Sequence, residues 1–207
     1  MVIVKPSISD ILRLDRGDFG LFQKACEKLY GKIKEDKYEF CWIVDIRRGG
    51  VVVSRFLCDL YRTNNVTDIS FDSEYNPDGS RKPPVLKLGL RPEVREMIGD
   101  GSILVVDDVC DQGLTPIAAE KYLREEQKIS ELRFACLYVK PWRQFNPHYW
   151  AEETEKWIVF PGEANETIEK ILKSSERGKI GRKEAKRLLK HFTQEEIDQA
   201  IRSKDFG

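Results

Sequence analysis

The chain has 207 residues, enough for one main domain with an appendage and for a substantial hydrophobic core. Lysine plus arginine (35) balance aspartate plus glutamate (35), so no overall field points to nucleic acid or an anionic membrane as a partner. The five cysteines form no CxxC pair and four lie in apolar or periodic segments, which is typical of reduced thiols in a cytoplasmic protein.

The first third of the chain predicts a helix, a strand and a second helix. Residues 1–10 lack a long apolar stretch, and no window approaches the roughly 18 apolar residues that a membrane span needs. Residues 19–33 have helical spacing after Asp18, a residue suited to an N-cap. "YEFCWIVDI" then predicts a buried strand, "RRGG" a turn, and "VVVSRFLCDLYR" a helix.

The middle of the chain repeats this order. Residues 66–71 predict a strand, Asp72 to Pro84 a long loop rich in proline and glycine, and Pro92 to Ile98 a short helix. An apolar strand over 102–106 runs into an acidic turn and a helix over 115–127. Residues 133–139 predict another strand, and 140–155 a second long irregular connection.

The last part predicts a short strand, "KWIVFP", and a helical coda from Glu163 onward. "TQEE" at 193–196 has the spacing of a capping box. Strands that alternate with helices predict an α/β fold with a doubly wound, mostly parallel sheet, whose ligands bind beyond the carboxyl ends of the strands. We expect residues 1–162 to form this core with a small hood, and 163–207 to form a helical C-terminal extension.

The acidic turn "VVDDVCDQGLT" combines features that suit a phosphorylated sugar. A turn that enters a helix presents backbone N–H groups to a phosphate, Gly113 allows close approach of an anion, and Thr115 adds a hydroxyl donor. Asp107 and Asp108 would repel that phosphate unless they bind sugar hydroxyls or Mg²⁺. A solvated turn at a helix N-terminus is the simpler interpretation of an isolated acidic pair.

The full string closely resembles the phosphoribosyl-pyrophosphate signature of the type I phosphoribosyltransferases. The resemblance implies that Asp107 and Asp108 hold the ribose hydroxyls, directly or through Mg²⁺, with water between the metal and the carboxylates as an option. It also implies that Asp111 is the general acid/base near the purine N7. The 5′-phosphate would be bound by Asp111, Gln112, Gly113, Leu114 and Thr115, although many relatives have threonine or serine where this chain has Gln112.

Three further segments match the same family. "IRRGG" resembles the pyrophosphate loop, with Arg48 and Gly49 at a step that is often a cis peptide. In "LYVKP", Lys140 matches the lysine that the 6-oxopurine-specific members place against the exocyclic oxygen, and a lysine can only donate there. In "KWIVFPGE", Trp157 would stack on the purine and Ile158 would lie at its 2-position edge.

The two long connections have counterparts as well. The loop from Asp72 to Pro84 lies where the family has a lid that excludes water, to which Ser73 and Tyr75 would contribute. We expect Trp142, His148, Tyr149 and Trp150 to form a hood over the base, with no catalytic histidine. The resemblance spans roughly residues 20–162 and leaves out the basic tail "GRKEAKRLLKH".

The resemblance to the type I phosphoribosyltransferases implies a purine salvage transferase that uses phosphoribosyl pyrophosphate, a 6-oxopurine and Mg²⁺ and forms a nucleoside monophosphate. The expected protein is cytoplasmic, binds neither membrane nor nucleic acid, and forms a homodimer or a higher oligomer. Two alternatives stay open at this point: a non-catalytic regulator on the same fold that senses phosphoribosyl pyrophosphate or a nucleotide, and an adenine-specific enzyme.

Overall fold

The structure, a computed structural model, describes residues 11–13, 20–72 and 82–203. These residues form two compact units, one drawn from 23–155 and the other from within 1–22 and 156–207. The predicted boundary after residue 162 stays a prediction, since the packing groups the strand at 157–159 with the C-terminal helices. No described helix is long and apolar enough to cross a membrane.

The larger unit is built on a six-stranded sheet of order β4-β3-β2-β5-β6-β7. The strands are β2 (Trp42–Arg47), β3 (Val66–Asp72), β4 (Val85–Leu88), β5 (Ile103–Cys110), β6 (Leu132–Val139) and β7 (Tyr149–Glu153). Only the β3–β4 pair of this sheet is antiparallel. After β2 the chain adds β3 and β4 on one side of the sheet and then β5, β6 and β7 on the other side. The strand order therefore reverses between β2 and β5, and the predicted doubly wound fold is confirmed.

Helices cover both faces of this sheet. Helix α1 (Gly20–Glu35) and α2 (Gly50–Tyr61) touch through the rings of Tyr30 and Tyr61, and α2 packs on β2 and β5. Helix α3 (Pro92–Ile98) and α4 (Leu114–Lys121), which continues as a π-helical turn over Tyr122–Glu126, pack on the other face. The core on that side contains Val44, Ile46, Ile69, Ile103, Val105 and Phe134.

Two strands of the sheet were not predicted. β4 lies at one edge, where Val85 is 64% and Leu88 is 44% exposed, so its sequence lacks the burial pattern of an inner strand. β7 lies at the other edge, inside the segment that we expected to be irregular, and it is only five residues long. Edge strands with one neighbour carry weak sequence signals because half of their surroundings is solvent.

The described residues of the smaller unit include two strands and three helices. β1 (Ile11–Arg13) pairs in parallel with β8 (Trp157–Val159). Helices α5 (Ala164–Glu176), α6 (Arg182–Leu189) and α7 (Gln194–Ser203) enclose an apolar cluster that includes Val159, Ile168, Ile171, Leu188 and Phe192. The capping box is confirmed: the Thr193 N–H donates to Glu196 Oε2 at 2.6 Å, and the Glu196 N–H donates to Thr193 Oγ1 at 3.2 Å.

Candidate functional site

The acidic pair lies inside strand β5, not after it. We predicted that the strand ends at 106, but it continues to Cys110 because β6 remains beside it, with Asp107 opposite Cys136 and Cys110 opposite Val139. The pairing of β5 with β2 ends earlier, at Val106. Beyond that point β5 has one strand neighbour, and its other edge is left to the turn that follows β2.

The two carboxylates are tied to the backbone. The Asp108 N–H donates to Asp107 Oδ1 at 3.0 Å, and the Val109 N–H donates to Asp108 Oδ1 at 2.6 Å. Burial raises the pKa of Asp107 well above its usual range, and the charge of Asp108 raises it further. A cation or a set of hydroxyl donors beside this pair would relieve the repulsion that causes the second part of the shift.

The turn after β2 lies directly against this pair. A Cβ atom on Gly49 would overlap the Asp108 carboxylate, so the backbone at 49 comes closer to that side chain than any other residue type allows. Gly50 similarly abuts the carbonyl of Val106. The structure therefore brings together two motifs that are almost 60 residues apart in the sequence, as the resemblance implies for the pyrophosphate and ribose contacts.

One detail of this turn differs from our expectation. The resemblance placed a cis peptide at Arg48–Gly49, but the cis bond joins Arg47 and Arg48. The cis bond follows the last residue of β2, Arg47, and Gly49 has helical dihedrals, φ −62° and ψ −42°, as the N-cap of α2. Arg48 is exposed, whereas Arg47 pairs with Asp68 at 2.8 Å.

The predicted phosphate loop enters α4 through a left-handed glycine. Gly113 has φ 83° and ψ 8° and is the N-cap of α4, which begins at Leu114. Thr115 lies in the first turn of the helix, where the N–H groups of Leu114 and Thr115 suit an anion, whereas Pro116 has no N–H and the Ile117 N–H donates to the Gly113 carbonyl at 3.2 Å. The role predicted for Gln112 stays a prediction; its backbone carbonyl accepts a hydrogen bond from Gln144 at 3.0 Å.

Residues 140–146, which we call the strap, pack against the phosphate loop of residues 111–115. The Lys140 N–H donates to the Cys110 carbonyl at 3.0 Å, and the Trp142 indole N–H donates to Asp111 Oδ1 at 2.8 Å. Farther along, a Cβ atom on Gly113 would lie 2.7 Å from the Cβ of Phe145. The strap thus contacts each of the residues 110–113, a relationship that sequence reasoning missed because it joins two loops from neighbouring strands.

The expected aromatic hood is divided in the structure. Tyr149 and Trp150 belong to β7, and the Tyr149 hydroxyl bonds Asp36 and Arg133. His148 Nδ1 accepts a hydrogen bond from the Phe134 N–H at 3.1 Å, and the expectation that His148 has no catalytic role stays a prediction. Of the four residues, Trp142 is the one that contacts a predicted site residue.

Lys140 is a buried lysine rather than a solvated one at a strand end. It follows β6 directly and is 6% exposed. Burial lowers the pKa of its ammonium, while the charges of Asp111 and Glu155 oppose that shift. Its Nζ lies 5.8 Å from the centroid of the Trp142 ring. Its burial near Asp111 and Trp142 suits a donor that selects an oxygen atom on a ligand.

Trp157 and Ile158 lie on β8 in the smaller unit. The Trp157 indole N–H donates to Thr167 Oγ1 at 3.3 Å, and Lys170 Nζ lies 3.7 Å from the centroid of its ring. Ile158 is buried. Their proposed contacts with a purine stay a prediction, as does the role of the lid, because Ser73 and Tyr75 lie outside the described residues.

A further buried carboxyl, Asp45 on β2, went unnoticed in the sequence. It is 5% exposed and accepts a hydrogen bond from the Ser54 hydroxyl at 2.9 Å, while its Oδ1 has no hydrogen-bond partner among the described residues. Asp68 lies directly opposite on β3. Burial raises the pKa of Asp45; the Ser54 hydroxyl opposes the shift and the Asp68 charge adds to it.

Comparison with known proteins agrees with this geometry. The chain resembles the purine phosphoribosyltransferase of Pyrococcus horikoshii at 28% identity and a TM-score of 0.62, over 74% of this chain and 94% of that one. It also resembles the xanthine-guanine-hypoxanthine phosphoribosyltransferase of Helicobacter pylori at 22% identity and a TM-score of 0.61, over 79% and 99% of the two chains. A hypothetical protein from Neisseria gonorrhoeae with bound ppGpp matches at 18% identity and a TM-score of 0.58, over 73% and 88%.

No curated protein sequence matches this chain significantly. The likenesses below 25% identity establish the fold alone. A family model, the phosphoribosyl transferase domain, matches residues 18–166 and so includes the acidic pair, the phosphate loop, the turn after β2 and Lys140. This chain therefore belongs to the phosphoribosyl transferase domain family.

Proposed function

We propose that the protein transfers ribose 5-phosphate from phosphoribosyl pyrophosphate to N9 of a 6-oxopurine: guanine, hypoxanthine or xanthine. The observation that carries the proposal is the packing of Gly49 against the Asp108 carboxylate, which joins a pyrophosphate-type turn to a ribose-type acidic pair at the switch point of the sheet. The products are a nucleoside monophosphate and pyrophosphate. Buried Lys140 supports the choice of an oxopurine over adenine because an ammonium can only donate to the base.

The residues present fit Mg²⁺ as a shared ligand of protein and substrate. Burial raises the pKa of Asp107 and the charge of Asp108 raises it further, so a divalent cation beside the pair would favour the ionised form of both carboxylates. The described residues contain no group of three or more His, Cys, Asp and Glu side chains that could enclose a metal. Mg²⁺ that keeps waters and substrate oxygens as ligands needs only one or two carboxylates from the protein, and when bound it would neutralise charge on the departing pyrophosphate.

The remaining chemistry is assigned to side chains and backbone of the chain. In the proposed reaction the C1′–O bond to pyrophosphate breaks as the N9–C1′ bond forms, and the electron pair leaves with pyrophosphate. The Arg48–Gly49 turn binds that leaving group, the 111–115 loop holds the 5′-phosphate, and Asp111 accepts the N7 proton of the base. Catalysis is then mainly positioning and electrostatic stabilisation.

A substrate panel tests the proposal. The purified protein is incubated with saturating phosphoribosyl pyrophosphate, Mg²⁺ and each of guanine, hypoxanthine, xanthine and adenine, and nucleotide formation is followed by absorbance. We expect turnover with at least one 6-oxopurine. Absence of nucleotide with all three would refute the proposal, and a preference for adenine would show that Lys140 has a different role.

The role of Asp111 has its own test. Asp111→Asn keeps the size of the side chain and its ability to accept the Trp142 hydrogen bond but removes the base, so kcat should fall about 10²-fold or more with little change in nucleotide binding. Unchanged turnover would remove Asp111 from the mechanism.

A further inference from the structure

The Asp111 carboxylate is held by a side chain that the family signature does not contain. The indole N–H of Trp142 donates to its Oδ1 at 2.8 Å, across 31 positions of the chain. Within the described part of the chain no hydrogen bond reaches its other oxygen, Oδ2. One oxygen of the carboxylate is therefore engaged by the protein, and the second is left to face a ligand.

The chemistry of the indole makes this contact directional. A tryptophan N–H can donate but cannot accept, so the bond forms only with an oxygen that has a lone pair available. A free aspartate in a loop samples several rotamers, and a fixed donor selects among them. The contact thus sets where Oδ2 points without competing for the proton that the base would give up.

Trp142 does not need its own N–H bond to stay in place. The strap is fastened before it by the bond from the Lys140 N–H to the Cys110 carbonyl, and after it by the bond from the Gln144 N–H to the Gln112 carbonyl. The indole ring also lies beneath the Lys140 ammonium, 5.8 Å from the centroid. Removing the N–H while keeping an aromatic ring should therefore leave the strap on the loop.

We propose that Trp142 is a positioning residue for the transfer reaction, which fixes the Asp111 carboxylate so that its Oδ2 meets the purine N7. The inference rests on the proposed function and goes beyond it, since it assigns part of the orientation of the acid/base to the strap. It also makes Trp142 the connection between Asp111 and Lys140, which would contact the exocyclic oxygen next to N7 on the same edge of the base.

A double-mutant cycle tests the inference. Trp142→Phe keeps the ring and removes the donor, and Asp111→Ala removes the acceptor. We expect Trp142→Phe to lower kcat about tenfold, the size of one lost hydrogen bond near 1.4 kcal/mol, with KM for phosphoribosyl pyrophosphate changed less than about twofold. In the Asp111→Ala background the same substitution should have almost no further effect on kcat.

Two further variants separate positioning from packing. Trp142→His offers an imidazole Nε2 donor at about the same place in the ring and should recover part of the lost kcat. Trp42→Phe, on a half-buried tryptophan at the start of β2, is the matched control and should leave kcat within about twofold of wild type. Thermal melting of every variant establishes that the protein is folded.

The outcomes are distinguishable. Equal losses of kcat from Trp142→Phe in the presence and absence of Asp111 would overturn the inference, because Trp142 would then act through general packing. No loss from Trp142→Phe would overturn it as well. Both results leave the proposed function intact, whereas a wild-type protein that forms no nucleotide would refute the function and the positioning role together.

Discussion

Gly49 brings the turn after β2 so close to the acidic pair that no side chain fits at this position. Its φ of −62° is accessible to every residue, so replacement would not strain the backbone, and the whole cost would come from overlap with the Asp108 carboxylate. The position illustrates how a glycine can be required for space alone.

We predict that Gly49→Ala lowers the free energy of unfolding by about 1–3 kcal/mol and weakens phosphoribosyl pyrophosphate binding, because Asp108 must move. Chemical denaturation and calorimetric titration measure the two effects. Gly31→Ala in α1 is the control: apart from the backbone of its own helix, no atom of the described residues lies within 4 Å of the added methyl group, and the substitution should be neutral or stabilising. Equal behaviour of the two variants would contradict the close approach.

Asp45 is a second residue whose environment has a measurable consequence. Because burial raises its pKa, the stability associated with its protonated form is fully present below the ordinary carboxyl pKa of about 3.9 and is lost as the pH rises through the raised value. Asn cannot ionise, and it can still accept the Ser54 hydrogen bond.

We therefore predict that Asp45→Asn is more stable than wild type at pH 8 by about 1–3 kcal/mol, and that the advantage shrinks towards pH 4.5. Urea denaturation at the two pH values measures the difference. Asp59→Asn, on an exposed carboxylate of α2, is the control and should show no such pH-dependent gain. A constant difference between wild type and Asp45→Asn at both pH values would contradict the prediction.

At the scale of elements, the strap and the phosphate loop act as one layer at the carboxyl ends of β5 and β6. A Cβ atom on Gly113 would lie 2.7 Å from both the Cβ and the backbone N of Phe145. A change in the conformation of the loop at Gly113 would therefore require a change in the strap. The T-shaped contact of Phe145 with Phe134, 4.9 Å between centroids, anchors the strap to β6 in turn.

We predict that Gly113→Ala lowers the free energy of unfolding by more than the left-handed backbone conformation alone would cause. Gly162→Ala is the matched control, because Gly162 has φ 88° but no atom within 4 Å of the added methyl group. The control should lose about 1–2 kcal/mol of unfolding free energy, and Gly113→Ala should lose about 1–3 kcal/mol more than the control. Gly113→Ala should also weaken the binding of a nucleoside monophosphate. Equal losses of stability would show that Phe145 gives way freely.

The elements also mark where sequence reasoning succeeds. The periodicity of α1, the apolar runs of β2, β5 and β6, and the Thr193 capping box are local signals, and each predicts its element within a few residues. The end of β5 could not be predicted from Asp107 and Asp108 themselves. It depends on β6, whose pairing holds two carboxylates in a strand that their own preferences would end.

The same distinction applies to the site. Asp107, Asp108 and Gly113 were identified because a contiguous motif carries them. In the structure Gly49 abuts the Asp108 carboxylate, and the backbone N–H of Lys140 donates to the Cys110 carbonyl. Trp142 was assigned to a hood over the base, but its hydrogen bond to Asp111 and the contact of Phe145 with Gly113 could not be predicted, since these partners lie some 30 positions away in another loop. Contacts between loops of neighbouring strands depend on the fold and leave no periodic trace in a single sequence.

At the scale of the whole molecule, charge is balanced as well as abundant. The formal net charge is zero at pH 7, and the isoelectric point is near 6.8. Without net repulsion between copies, the protein should be least soluble near neutral pH.

We predict a solubility minimum near pH 7 and a clear rise by pH 9, measured as soluble protein after concentration at each pH. The double variant Lys183→Glu and Lys186→Glu changes two exposed positions of α6 and shifts the net charge by about −4, two units at each. Its minimum should move to lower pH. A minimum that stays in place would indicate that local patches, rather than net charge, control association.

The pairing of β1 with β8 joins residues 11–13 to residues 157–159. During synthesis all of residues 23–155 are translated after β1 and before β8, so the six-stranded sheet can assemble before β1 has a strand to pair with. Strand β1 is synthesised first but is among the last strands to pair. Folding on the ribosome should thus proceed from the middle of the chain outward, with the last helices completing a unit whose first strand was translated before the sheet began.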